Sequence, residues 1–208
     1  MLDLWHAQRL RGDPVPDTDS LAQRTVLHVG CGSWRPGALH AAYEGEGWRE
    51  IRLDFNPSTK PDIVASMTDM SAVSTDSVDA IWNSHALEHL YRHEVPVALR
   101  EFFRVLRPGG HVLMRMPDLQ KAAALIVEKG PLSTAYTSPS GPITPLDILY
   151  GHGASIARGE TGMAHKTGFT MESLAHHLTN AGFANVKATQ KGFDLWARGE
   201  KPDPTATA

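Results

Sequence analysis

The junction at residues 25–32 constrains the fold of this chain more than any other feature. Thr25-Val26-Leu27-His28-Val29 is apolar and β-branched, and it stops on Gly30-Cys31-Gly32. A short apolar run that ends in a glycine turn reads as a buried strand. Ile51-Arg52-Leu53-Asp54, Asp62-Ile63-Val64-Ala65, Ser77-Val78-Asp79-Ala80-Ile81-Trp82 and residues 110–116 repeat the pattern. Between the last two, Val95, Leu99, Phe102, Phe103 and Leu106 fall at helical spacing, giving one apolar face. Pro96 suits the first turn of that helix, Arg104 and Arg107 suit its negative end, and Pro108-Gly109-Gly110 stops it.

Further helices are predicted over residues 118–129 and after Thr170, a good N-cap. In the second, Leu174 and Leu178 share a face and Gly182 closes the end. Residues 185–189 and 193–197 are strands parted by Gln190-Lys191-Gly192, a hairpin-like break. Strands alternating with helices imply a mostly parallel α/β sheet of seven strands, with helices on both faces. The closely spaced final pair implies an antiparallel edge. Residues 1–24 are expected to be a leader and 25–200 one domain. Residues 130–168, rich in Gly and Pro, are expected to form a lid-like insertion over one end of the sheet, and 201–208 a disordered tail.

Composition narrows the function classes. At 208 residues the chain can bury a full core as one domain. Cys31 is its sole cysteine, so an intrachain disulfide is excluded. No apolar run approaches the ~20 residues of a bilayer span. The Met1-Leu2-Asp3 start lacks the basic and apolar segments of a signal peptide, so a cytoplasmic location is expected. With a net charge of −3 and no basic run, nucleic acid is a disfavoured partner.

In a parallel sheet, ligands bind beyond the C-terminal strand ends. Gly30, Asp54 and Asn83 all stand there. Gly30 and Gly32 permit a tight turn and a close backbone approach. A carboxylate at Asp54 can accept hydrogen bonds from both hydroxyls of a ribose. A glycine turn alone is often just a turn, and an acid at a strand end is often a solvated cap. The two in order on successive strands point to an adenosine-containing ligand.

Here the chain resembles the class I S-adenosylmethionine-dependent methyltransferases, over residues 25–117 and more loosely to 198. Residues 26–33, with Gly30, Cys31 and Gly32, are similar to the family's cofactor loop. Asp54 is similar to the ribose-binding acid, and Phe55 falls where a side chain packs on adenine. Met67-Thr68-Asp69-Met70 is similar to the segment whose acid bonds the adenine amino group, here Asp69. Residues 79–90 and Arg104-Val105-Leu106-Arg107-Pro108-Gly109-Gly110 complete the series. The resemblance implies a Rossmann-like doubly wound fold, S-adenosylmethionine as cofactor and methyl transfer to an oxygen or nitrogen of a small molecule. Two departures stand out: His28 occupies a position where the family often has an acid, and Ser33-Trp34-Arg35-Pro36 replaces a third glycine.

Transfer of a methyl group from a sulfonium releases a neutral sulfur, so no acid is needed for departure, and a base is needed only for a protonated acceptor. His85 and Glu88, which follow the fourth strand, are the candidates, with His89 expected to pack under the sheet. Tyr150, His152 and His165 of the insertion are candidates for the acceptor pocket, although such residues often only anchor a loop. No metal is expected. His85-Ala-Leu-Glu-His89 also matches the H-x-x-E-H pattern of inverted zinc peptidases, which needs both histidines on one helix face. A non-catalytic cofactor-binding subunit that assists a partner, and a dehydrogenase, are the other rivals.

Overall fold

The computed structural model describes residues 23–205; the expected leader lies almost wholly outside them. Strands β1 (Arg24–Val29), β2 (Trp48–Asp54), β3 (Ile63–Val64), β4 (Val78–Ser84) and β5 (Leu106–Pro117) pair in parallel. The hairpin of Gly141–Ile143 (β7) with Tyr136–Ser138 (β6) stands apart from them. Strands β8 (Ala184–Lys191) and β9 (Asp194–Glu200) complete the main sheet as an antiparallel edge. Its order is β3-β2-β1-β4-β5-β9-β8. The order reverses between β1 and β4, where parallel sheets open a crevice for ligands. This is the seven-stranded, mostly parallel sheet read from the sequence.

Two helices cover one face. In α1 (Val95–Val105), Val95, Ala98, Leu99, Phe102 and Val105 are buried, the spacing that turns one helical stripe inward. In α5 (Met171–Asn180), Leu174 and Leu178 are buried, and Thr170 and Ser173 exchange the hydrogen bonds of a capping box. Both helices close over Leu27, Val29, Leu53, Ile81, Val112 and Met114 of the sheet. Each such fully buried side chain contributes about 1.5–3 kcal/mol.

On the other face, Val26, Ala80 and Trp82 pack with Tyr43 and are flanked by Leu39, Trp48, Leu113 and Trp196. No helix links β1 to β2; residues 33–47 cross there as a loop with one short 3₁₀ turn at Ala41–Tyr43. Polar contacts peg that loop to the sheet: Trp82 donates to the Ala38 carbonyl at 2.9 Å, and the Tyr43 hydroxyl meets His111 Nε2 at 2.9 Å.

The stop expected at Pro108-Gly109-Gly110 is a bulge. Val78 faces Leu106 and Ala80 faces His111, so β5 carries extra residues opposite one step of β4. A β-carbon on Gly110 would sit 2.9 Å from the carbonyl oxygens of Arg107 and Asp79, which explains the glycine.

Residues 119–129 form α2 (Leu119–Lys129), as expected. The expected insertion contains the β6–β7 hairpin, α3 (Pro145–Tyr150) and α4 (Gly153–Ala157). A small core of Ala122, Ile143 and Ile148 holds it to α2. The tail needs correction. Lys201 pairs with Gly109 and Gly110 through its backbone, and its ammonium bonds the carbonyls of Phe103 and Leu106. Order therefore extends past residue 201, because the last strand runs on beside the bulge. Residues 206–208 lie outside the described residues.

Candidate functional site

Two groups of residues meet at the C-terminal ends of the strands. The first surrounds the glycine turn. Gly30 and Gly32 have φ of 69° and 59°, a left-handed backbone that suits glycine. They differ in what surrounds them. A β-carbon on Gly30 would lie 2.4 Å from that of Ala86, whereas one on Gly32 would meet nothing within 4 Å. Gly30 thus lets the segment after β4 close on the turn, and Gly32 faces open space. Asp54 is 6% exposed and ties the turn to β2: its carboxylate accepts the N–H of Gly32 at 2.8 Å and of Asn56 at 2.9 Å. Arg52 donates to the Gly32 carbonyl at 2.5 Å.

His28, where the resembled family often has an acid, is buried and bonds Glu50 Oε1 through Nδ1 at 2.7 Å. Burial pushes the imidazole below its ordinary pKa, against the opposing pull of Glu50. A carboxylate is therefore present in this layer, one strand over. Asn83 is fully buried; its amide N–H₂ donates to the Val29 carbonyl at 3.1 Å, which fixes the amide orientation and leaves Oδ1 without a partner. Cys31 is buried, and burial raises its thiol to about 11, so it is no nucleophile.

The remaining cofactor-side expectations divide. Phe55 is 66% exposed, and the insertion reaches it: a β-carbon on Gly162 would stand 3.6 Å from the ring tip. Asp69 is exposed and accepts the Ser71 N–H, beside a surface groove that it shares with Arg100, Glu101 and Arg104. Met70 is corrected: its side chain lies in the main core, and its N–H and C=O are taken by Glu101 and Arg104. Apolar packing under α1 claims it. Met67, which the sequence reading passed over, approaches the turn instead, with Cε 3.7 Å from a β-carbon placed on Gly30.

The second group lies past β4. His85 has φ of 50°, and such strain in a non-glycine residue clusters at functional sites. Its Nδ1 lies 3.4 Å from Glu88 Oε1 and its Nε2 3.6 Å from Asp194 Oδ1. Asp194 also pairs with Arg115 at 2.6 Å. Glu88 is 1% exposed, and neither of its oxygens makes a hydrogen bond. Burial opposes its charge, but the surrounding His85, His89 and His165 outweigh that and hold its pKa below the ordinary carboxylate value. His165 is pushed down by burial.

A pocket of about 230 Å³ opens here, lined by Glu88, Leu119, Ile148, Tyr150, His165 and Lys166, among others. Of the acceptor-side expectations, Tyr150 and His165 line it. His152 does not: it precedes α4 and bonds Ser155 at 3.1 Å, an anchoring contact. Asp194 and Arg115 were missed, because both read as ordinary strand residues.

The structure also decides between rivals. Residues 87–89 form a 3₁₀ turn, and His85 precedes it in a left-handed conformation, so no helix face carries both His85 and His89. The peptidase geometry fails at that step. A dinucleotide pyrophosphate wants the N-terminus of a helix directly after the glycine turn, and residues 33–37 are loop.

These features define a Rossmann-like methyltransferase fold. Residues 27–114 match the family model described as "Methyltransferase domain". No curated protein matches the chain in sequence. Among solved structures, an S-adenosylmethionine-dependent methyltransferase of Archaeoglobus fulgidus is 16% identical with a TM-score of 0.56, over 86% of this chain and 87% of that one. A protein of Bordetella parapertussis described as a possible exported protein is 15% identical, TM-score 0.57; the chain covers 62% of its length with 86% of its own. The 1,6-didemethyltoxoflavin-N1-methyltransferase of Burkholderia thailandensis, solved with its substrate and S-adenosylhomocysteine, is 16% identical, TM-score 0.52, over 86% of this chain and 71% of that one. Residues 27–114 are thus similar to a methyltransferase domain, and the solved structures that share the fold include S-adenosylmethionine-dependent methyltransferases. Among the described residues no helix is long and apolar enough to cross a membrane.

Proposed function

We propose that this protein transfers a methyl group from S-adenosylmethionine to an oxygen or nitrogen of a small molecule bound beneath the insertion. The observation that carries this reading is the placement of the pocket. It opens beside Glu88, on the segment that also packs Ala86 against Gly30, so an acceptor and a cofactor would meet across one short stretch of chain.

The residues fit the cofactor. Gly32 leaves open space where a side chain would stand, and Asp54 is held at the end of β2 with lone pairs to spare for ribose hydroxyls. Asn83 Oδ1 is a buried acceptor in want of a donor. Phe55 offers an apolar face for adenine, with the turn at Thr161–Met163 over it. We assign Gly30, Cys31, Gly32, Asp54, Phe55 and Asn83 to the cofactor end, with Asp69 at its margin.

When bound, S-adenosylmethionine supplies an electrophilic methyl on a sulfonium. The chain's own part is to align the acceptor, exclude water and remove a proton. Alignment alone can supply up to ~7–11 kcal/mol in favourable systems. His85 is the base. A proton taken from the acceptor leaves an imidazolium between two carboxylates, Glu88 and Asp194, which stabilise its charge. Asp194 is itself steadied by Arg115. The walls from α2 and α3 and residues 165–168 screen the acceptor from bulk water.

The test is a labelled-methyl transfer screen against a panel of small hydroxyl and amine acceptors, with His85→Ala as the control. Turnover on a member of the panel, lost in the variant while cofactor affinity holds, supports the reading. Cofactor binding without transfer to any acceptor, protein or nucleic acid would favour the assisting-subunit alternative. Transfer to a macromolecule alone would overturn the small-molecule assignment.

A further inference from the structure

Glu88, His89 and His165 form a cluster that base chemistry at His85 does not explain. A carboxylate oxygen of Glu88 and one ring nitrogen of each histidine all lie within 4.8 Å of one another. The histidines come from segments far apart in sequence, and their rings pack edge to face with centroids 5.0 Å apart.

The hydrogen bonds around the cluster fix what it offers. His89 Nδ1 lies 3.1 Å from the Ala164 carbonyl and His165 Nδ1 lies 3.0 Å from the Ile148 carbonyl. A carbonyl oxygen can only accept, so each Nδ1 carries the proton. In the neutral ring, Nε2 is then a bare lone pair. A backbone carbonyl holding Nδ1–H is the support that metal-bound histidines receive, because it fixes the tautomer and the ring orientation. Glu88 adds a carboxylate that is 1% exposed with neither oxygen hydrogen-bonded. Its backbone is held as well: the Glu88 carbonyl accepts the N–H groups of Lys166 and Thr167, beside His165. A carboxylate and two imidazoles thus converge within 4.8 Å of one another. His85 Nδ1 approaches Glu88 Oε1 only to 3.4 Å; a buried carboxylate without a close hydrogen bond costs several kcal/mol, and a cation held by the two other histidines offsets that cost.

We propose that Glu88, His89 and His165 bind a divalent first-row transition-metal ion, with an open position toward the pocket. Two imidazoles and one carboxylate suit zinc and its neighbours rather than magnesium or calcium, which prefer all-oxygen shells. Bonds of about 2.0–2.2 Å would draw the three atoms in by roughly an ångström. Glu88 and His165 both line the pocket, so the fourth ligand is water or an oxygen donor of the pocket's occupant. The segment is the one that matched a zinc-peptidase pattern, but the ligand set differs: His165 replaces His85, and Glu88 is a ligand rather than a base. Metal binding stands independently of the methyltransferase reading.

The test uses the untagged full chain, stripped with a chelator and titrated with zinc alone by calorimetry, with bound metal then measured by elemental analysis. One equivalent at sub-micromolar affinity is expected. His165→Ala and Glu88→Gln should each weaken it at least a hundredfold, while His152→Ala, a histidine of the same insertion outside the cluster, should leave it unchanged. Circular dichroism shows whether each variant is folded. If Glu88→Gln does not fold, His165→Ala and the wild-type stoichiometry still decide the matter. No stoichiometric zinc on the wild-type chain, or zinc retained in folded His165→Ala, would overturn the site.

Discussion

The two ends of the site are built in opposite ways. The proposed cofactor end is assembled largely from backbone within one β-loop-β unit. Gly30 and Cys31 donate to the Leu53 carbonyl, and Gly32 donates to Asp54, at a separation of 22 residues. The proposed acceptor end is assembled from side chains brought together across the fold: Arg115 reaches Asp194 over 79 residues, and His165 of the insertion lies beside Glu88, past β4. A turn needing positive φ and an acid ending a strand are local requirements that leave a local mark. A cluster made by tertiary packing leaves none until the chain is folded.

Substitutions can break that contrast. The largest effect is expected at the acceptor end. His85→Ala should reduce kcat by about 10²–10⁴-fold, the usual range for a lost base, with S-adenosylhomocysteine affinity unchanged; steady-state kinetics and calorimetry on the same sample check both halves. Next is Gly30→Ala, which forces a side chain into Ala86 in a left-handed backbone. It should destabilise the fold by about 3 kcal/mol in denaturant unfolding. Gly32→Ala, with equal φ strain but open space, should cost only about 1 kcal/mol and instead weaken cofactor binding. Equal destabilisation by the two would erase the distinction drawn between them.

Asp54→Asn removes the charge and keeps the shape. Loss of hydrogen bonds to a charged group, about 1.5–3 kcal/mol, should weaken S-adenosylhomocysteine binding about ten- to hundredfold, and the fold should lose about 1–3 kcal/mol because one oxygen that accepts a backbone N–H becomes an amide donor. The smallest effect lies away from both ends. Burial lowers His111 from 6.5 to about 4. The unfolded chain takes up that proton first, so this contribution is complete above pH 6.5 and is lost as pH falls toward 4. After allowance for solvent screening it amounts to about 1–2 kcal/mol. His111→Gln should flatten the acid limb of the stability profile between those limits, and an unchanged limb would remove His111 as its cause.

Legibility followed the same divide. Strand and helix positions were readable because period and punctuation act locally: Val95, Leu99 and Phe102 mark α1, and Gly30 ends β1. The place of Asp54 at the end of β2 was readable for the same reason. Met70 was misread because a side chain in a ligand-like motif can serve the core, and only packing under α1 shows that it does. His152 was misread because composition cannot tell a loop anchor from a pocket wall. Asp194 was invisible as a partner of His85, since it alternates like any strand residue. Lys201 was placed in a free tail, although its ammonium bonds carbonyls at the end of α1 and the start of β5.

The measurement that bears most directly on the protein's function is calorimetric titration of the full chain with S-adenosylhomocysteine, with a nicotinamide dinucleotide as control. One-to-one binding in the micromolar range, about −8 kcal/mol, lost or strongly weakened in Asp54→Asn and absent for the dinucleotide, is the expected result. No binding of S-adenosylhomocysteine, or equal binding by folded Asp54→Asn, would contradict the assignment of the glycine turn and Asp54 as the cofactor end.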